Sequence, residues 1–280
     1  MNEATAKRMA LAQRIAPAYA ANPKVRAVLL AGSVARGTAD RFSDIEIDVF
    51  WAEPPSDDEL SVPIECVGAT LLYRAADANE WADGFFIEGI KVDTSQFLAS
   101  TVERWLGDVV EHADTDVEKQ LLIAAIQHSL ALHGAALADR WRAHAALYPD
   151  ALVREMVAQY LAFRPRSLLE MFAERGDLLI LYKGLVAVEE LIMGVLLGLN
   201  RLYIAHPAHK WMDWQIAQMR IAPADLARRL KLVLRDEPVA AVREIHALIE
   251  EVFALVERYL PDFDASAARA EFSQPRTLEQ

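Results

Sequence analysis

The chain has 280 residues, 54% of them apolar and 25% charged, a balance that suits a folded protein of one large or two ordinary domains. Its formal net charge of -12, from 41 acids against 29 bases, argues against a polyanionic substrate gripped by clustered Lys and Arg and suits a neutral or cationic small molecule. Cys66 is the sole cysteine, which excludes an intrachain disulfide and a Cys-rich metal site and points to a reducing compartment.

Residues 3–21 read as an amphipathic helix ending near Asn22-Pro23, and Glu3, Lys7, Arg8 and Arg14 interrupt any secretory signal there. Val25 to Ala31 is a short apolar run of the kind that forms a buried strand, closed by Gly32. Asp44-Ile45-Glu46-Ile47-Asp48-Val49-Phe50 alternates acid and apolar side chains, so a half-buried strand is expected with Ile45, Ile47 and Val49 facing the core. Glu53 to Asp58 reads as a Pro and acid loop, and Ala69–Tyr73, Phe85–Glu88 and Ile90–Phe97 as further strands with a turn at Gly89. From about Thr101 the period changes. Helical spacing runs through Val117–His144, Ala151–Phe163, Leu168–Ala173 and Leu178–Asn200, with breaks at Pro149, Pro165, Gly176 and Pro207. Two more helices are expected over Pro223–Arg235 and Pro238–Tyr259, and the last dozen residues read as disordered. The uninterrupted apolar run Leu191–Leu199 is too short to span a bilayer, so no membrane association and a cytoplasmic location are expected. The fold class is α+β, a small mixed-sheet domain over residues 1–112 followed by an all-helical bundle over 113–280.

Chemistry concentrates in Leu30-Ala31-Gly32-Ser33-Val34-Ala35-Arg36-Gly37 and Ser43-Asp44-Ile45-Glu46. A strand ending in Gly-Ser lets the backbone approach a phosphate, because glycine has no Cβ, and N–H groups opening the next helix can hold anionic oxygens. Ser33 adds a hydroxyl. Asp44 and Glu46 share a strand face roughly 7 Å apart, so both carboxylates can reach one metal cluster. Mg2+ prefers oxygen ligands and completes its shell with water and substrate phosphate. An alternative pair, Glu46 with Asp48, breaks the spacing from Ser33. Asp48 itself reads as a supporting carboxylate or a partner of Arg36 or Arg41.

These residues resemble the nucleotidyltransferase superfamily of the polymerase β type, whose pattern is Gly-Ser, a helix, then Asp-x-Asp or Asp-x-Glu. Ser43-Asp44-Ile45-Glu46 looks most like the aminoglycoside adenylyltransferases, and Ala35-Arg36-Gly37 after Gly32-Ser33 is shared with minimal nucleotidyltransferases. The likeness covers residues 28–50 and extends more weakly to about residue 100. Leu199 to Tyr203 with His209-Lys210-Trp211 is similar to the helical half of a bacterial nucleotidyltransferase group. The resemblance implies Mg2+ on Asp44 and Glu46, a nucleoside triphosphate, ATP first among them, on Gly32, Ser33 and Arg36, and a third carboxylate, best matched by Asp93, as metal ligand or base. It further implies Lys183 and Lys210 as phosphate contacts from the helical half, and a nucleoside monophosphate passing to a hydroxyl of a small acceptor, an aminoglycoside-like antibiotic among the candidates. Two other outcomes stay open: nucleotidylation of protein or RNA within a toxin-antitoxin pair, and nucleotide binding without turnover.

Other signals are weaker. Lys183 also fits a lysine snorkelling from a helix flank, and Trp211 and Trp214 fit core anchors. His206 and His209 lack a third ligand for zinc. Arg201 and His206 have the Arg-x4-His spacing of a helical ribonuclease family, with Leu202 where that family prefers a polar residue. Arg164-Pro165-Arg166 reads as a basic turn between helices.

Overall fold

Asn2 opens the first helix, α1 (Glu3–Ala20), its side chain accepting a hydrogen bond from the Thr5 N–H at 2.8 Å, as an N-cap residue does. The computed structural model describes residues 2–275. Next come β1 (Val25–Leu30), a single turn α2 (Gly32–Ala35), β2 (Ile45–Trp51), α3 (Asp57–Cys66), β3 (Thr70–Ala76), β4 (Glu80–Ile87), β5 (Ile90–Leu98), α4 (Ala99–His112), α5 (Val117–His128), β6 (Leu130–His133) and α6 (Ala135–Ala145). The strands form one six-stranded sheet in the order β3-β4-β5-β2-β1-β6. Only β2 and β5 run parallel; the other neighbouring pairs are antiparallel. The expected mixed sheet with helices is therefore present.

Period-two alternation gives the sheet two chemically different faces. Ile45, Ile47 and Val49 pack with Phe85 and Val92 against Leu11, Ile15 and Tyr19 of α1 and Leu60 and Ile64 of α3. A buried polar chain runs through this packed face. Arg74 donates from Nε to Asp83 Oδ1 at 2.6 Å and from Nη2 to Oδ2 at 3.3 Å. Gln96 Nε2 donates to Asp83 Oδ2 at 2.9 Å, and Trp51 Nε1 donates to Gln96 Oε1 at 3.1 Å. Asp83 is only 1% exposed, so these donors are what make its burial tolerable.

Two elements differ from the sequence reading. Asp57 and Asp58, expected in a loop, open α3, because Ser56 and Glu59 form a reciprocal capping box that satisfies backbone N–H groups at the helix start. The span 117–144, expected to be helical, contains β6, which pairs antiparallel with β1 and takes one edge of the sheet. Tertiary pairing wins over a helical period in that short apolar run.

Two compact units result, residues 1–112 with 122–147 and residues 113–121 with 148–280, so the single division expected after residue 112 is displaced by the segment that completes the sheet. The second unit contains α7 (Asp150–Tyr160), α8 (Arg166–Arg175), α9 (Leu178–Leu199), α10 (Met212–Ile216), α11 (Leu226–Val233), α12 (Pro238–Tyr259) and α13 (Ser266–Phe272). Its core joins Leu181, Leu185 and Ile192 of α9 to Ile245, Ile249 and Phe253 of α12. Part of the segment expected to be disordered forms α13, and residues 276–280 of that segment lie outside the described residues. Among the described residues no helix is long and apolar enough to cross a membrane.

Glu189 of α9 is buried, its Oε1 lacks a hydrogen-bond partner, and burial pushes its pKa up to about 7. The folded chain therefore holds this proton more tightly than the unfolded chain, whose glutamates titrate near 4.3. The stabilising effect is complete below the unfolded pKa and is lost as pH rises toward 7. Glu189→Gln is expected to be more stable than the parent by about 2–3 kcal/mol at pH 8 and nearly equal to it at pH 4.5. Urea unfolding of both proteins at the two pH values checks this; a gap independent of pH would be inconsistent with a buried, proton-holding carboxyl.

Candidate active site

Gly32 follows β1 with φ +64, a left-handed conformation that favours glycine, and Ala31 is tied to β2 by its N–H donating to the Glu46 carbonyl at 2.9 Å. A Cβ at position 32 would fall 1.9 Å from Glu46 Oε2, so the Glu46 carboxylate lies directly on this turn. Ser33 is buried in the same turn. Because α2 is a single turn, the N–H groups of its first residues have no intrahelical acceptor, and no long helix dipole stands behind them.

Asp44 precedes β2 rather than lying within it, and the loop before it is pinned by α1. Arg8, buried, donates from Nε to the Ser43 carbonyl at 2.7 Å, while Asn2 Nδ2 donates to the Ala39 carbonyl at 3.0 Å. Asp40 closes the loop with an Asx turn, its Oδ1 accepting from the Phe42 N–H at 2.9 Å.

Register places Glu46 beside Asp93 on β5, Asp93 beside Gly84 on β4, and Gly84 beside Tyr73 on β3. Directly paired residues share a face. A single row therefore crosses the sheet from Tyr73 through Asp93 and Glu46 to the Gly32 turn. Gly84 makes the row possible, since a Cβ there would meet Tyr73 Cε1 at 2.1 Å. The ring lies over the glycine, and Tyr73 Oη donates to Asp93 Oδ1 at 2.9 Å. Lys91 Nζ donates to Asp93 Oδ2 at 2.8 Å and stands 5.7 Å from the Tyr73 ring centroid. Its pKa is raised, first by this hydrogen bond, and Asp44 contributes to the field it feels.

The same face is acidic beyond this row. Asp48 is buried and its Oδ2 has no hydrogen-bond partner; burial first, then the charges of Glu46 and Glu80, push its pKa up to about 8. Arg41, considered as its partner, instead places its guanidinium 4.3 Å from the Phe42 ring centroid. Burial lowers the Arg36 pKa while the Glu46 charge opposes that shift, so Arg36 lies within the electrostatic reach of Glu46. At the far end of this face Phe50 meets Phe97 and Trp141 at centroid distances of 6.3 and 4.9 Å, closing it with aromatic packing.

The structure thus sets the Glu46 carboxylate on the Gly32–Ser33 turn with Asp93 beside it on β5, while Asp44 is felt at Lys91 and Arg36 feels the Glu46 charge. Lys183 and Lys210 belong to the second unit: Lys183 is exposed on α9, and Lys210 Nζ stands 5.9 Å from the Trp211 ring centroid. Tyr73, Gly84, Lys91 and Glu80 escaped the sequence reading. Lys91 was within reach of it, since a lysine two positions before an acid on a strand shares its face. The donor set is hard carboxylate oxygen, which suits Mg2+. Among the described residues no three His, Cys, Asp or Glu side chains converge as a ready metal cage; both oxygens of Asp93 are engaged by Tyr73 and Lys91.

No protein-family model matches the sequence, and no curated protein matches it. Among solved structures the chain is similar to a nucleotidyltransferase-like protein from Exiguobacterium sibiricum, at 12% identity and a TM-score of 0.41, over 90% of this chain and 78% of that one.

Gly32→Ala is expected to destabilise the first unit by about 1–2 kcal/mol from its left-handed backbone alone, and to drive the Glu46 carboxylate off the turn. Chemical denaturation read through the tryptophan fluorescence of this unit measures the loss. An unchanged midpoint would show that the turn does not carry the carboxylate.

Proposed function

We propose that the chain is a Mg2+-dependent nucleotidyltransferase that moves a nucleoside monophosphate, AMP from ATP being the leading case, to a hydroxyl of a small acceptor. The observation that carries this reading is the Glu46 carboxylate packed on the Gly32 turn with Asp93 beside it on the neighbouring strand. Asp44 and Glu46 would hold the metal, with Asp93 as the third carboxylate. Bound there, Mg2+ supplies charge neutralisation at the phosphates.

The chain's own residues have defined parts in this proposal. Gly32 and Ser33 receive the triphosphate oxygens, and Arg36 offsets their charge from beside Glu46. The acceptor hydroxyl oxygen forms a bond to the α-phosphorus, the bond from that phosphorus to the β-bridging oxygen breaks, and pyrophosphate leaves with its electron pair. The hydroxyl proton passes to a carboxylate on this face or to water. Alignment and charge stabilisation carry such a reaction more than any one nucleophile.

An acidic face that includes Glu46, Glu80 and Asp93 favours a neutral or cationic acceptor, because a concentrated negative potential raises the local concentration of cations. Aminoglycoside-like polyols fit that description. Labelled nucleotide appearing on RNA, together with a steep salt dependence of RNA binding, would overturn this acceptor class.

Pyrophosphate release, screened with each nucleoside triphosphate against hydroxylated metabolites and antibiotics, tests the activity. Asp44→Asn and Glu46→Gln are each expected to lower turnover by about 1,000-fold or more, equivalent to about 4 kcal/mol of transition-state stabilisation, while folding is retained because like-charge repulsion is relieved. Near-parental turnover of either variant in saturating Mg2+ would sink the assignment.

Tyr73 and Lys91 are expected to act in opposite directions on metal affinity. Tyr73→Phe keeps the ring over Gly84 but removes the donor that orients Asp93, and should weaken Mn2+ binding by about tenfold. Lys91→Met removes a cation that competes for the same carboxylate and should strengthen it. Titration of the protein with Mn2+ followed by electron paramagnetic resonance reads both without turnover, and a weaker affinity in Lys91→Met would contradict the competition.

A further inference from the structure

The helical unit contains a cavity of about 490 Å³ between α8, α9 and α12, with Phe272 of α13 contributing to its wall. That size falls in the range of small-molecule sites. Leu169, Phe172, Val188 and Ile249 make it apolar, and Ile180, 48% exposed, continues the apolar surface to solvent. Water gains little in such a space, whereas an apolar ligand would cover surface that the chain leaves open.

The charges around this cavity are all of one sign. Arg164, Arg166 and Lys183 line it and no Asp or Glu does, although acids outnumber bases 41 to 29 in the chain. Arg166 is paired with Glu170 at 3.2 Å, but among the described residues neither Arg164 nor Lys183 makes an ion pair. The basic turn at 164–166 and the lysine on α9 are thus two cationic positions beside one apolar space.

A second observation comes from the wall. His246 of α12 separates this cavity from a smaller one of about 200 Å³. Its Nδ1 lies 3.6 Å from Glu170, which borders only the smaller space, and its Nε2 is buried with no hydrogen-bond partner. His246 is 6% exposed, and burial lowers its pKa to about 4, so at neutral pH it is an uncharged ring carrying an unmet hydrogen-bonding group.

We propose that this cavity is a binding site for an amphipathic carboxylate, its apolar body between α8, α9 and α12 and its head group on Arg164 and Lys183. The basic turn and the α9 lysine then form the polar end of a site whose remainder is hydrophobic. Charge complementarity selects the anion over an alcohol or amine of the same length. The proposal is independent of nucleotide transfer.

Isothermal titration of the full chain with decanoate, 1-decanol and decylamine, each below its micellar concentration, tests it. Decanoate is expected to bind at least tenfold tighter than decanol, with decylamine weaker still. Arg164→Gln combined with Lys183→Gln, both at exposed positions, should bring decanoate down to the affinity of decanol and leave decanol unchanged. Ala187→Trp, which fills the cavity from an exposed position on α9, should abolish binding of both, with circular dichroism confirming the helical content. Three results would overturn the site: no decanoate binding, equal affinity for decanoate and decanol, or decanoate binding untouched by the double charge substitution. ATP is a further arm. Displacement of decanoate by ATP would assign these cations to a nucleotide instead and overturn the carboxylate reading.

Discussion

Carboxylates that share one sheet face are the constraint on which the first unit depends. Glu46 and Asp93 are adjacent across the parallel pair β2 and β5, and Asp48 follows on the same face with an oxygen that finds no donor. Like charges this close repel, and a cation is the natural relief. Lys91 supplies part of it through Asp93. The other face shows what an acid kept for stability looks like. Asp83 is gripped by Arg74 and Gln96 and supports the sheet, so alternation alone sends the acids of neighbouring strands to two different environments.

Two glycines frame that row. Gly32 gives the Glu46 carboxylate a place on the turn, and Gly84 gives the Tyr73 ring a path to Asp93. Each would be an ordinary turn or strand residue if judged locally; glycine within a strand even weakens it. Their value lies in what approaches them from the next strand. The entrance to β2 is held in the same indirect way, since Arg8 on α1 fixes the Ser43 carbonyl beside Asp44. Rigid elements thus position the row, and Asp44 alone comes from the loop between α2 and β2.

The helical unit follows different chemistry. Its interior is built on α9 and α12, and burial shifts the ionisable groups Glu189 and His246 there toward their neutral forms, raising the pKa of the first and lowering that of the second. Cations gather at the apolar cavity, whereas acids gather on the sheet. A chain of net charge -12 therefore presents surfaces of opposite preference in its two units.

Period and spacing made much of the sheet legible in the sequence. Alternation over 44–50 determined which residues of β2 pack toward α1 and α3, although Asp48 and Phe50 on the other face are buried as well, and the Gly32-Ser33 and Asp44-Ile45-Glu46 spacing picked out residues of which Gly32 and Glu46 meet in the fold. The Asp93 position followed from resemblance, and parallel pairing with Glu46 is what sets it in the row. Other features were decided only by tertiary structure. The sequence 130–133 has a pattern that serves helix or strand, and the unpaired edge of β1 selected the strand. Tyr73 gave no signal, because its meaning depends on a missing Cβ on another strand and a carboxylate on a third. Local sequence determines period, caps and turns, since those energies act within a few residues; which residues meet across strands is set by register, a property of the whole sheet.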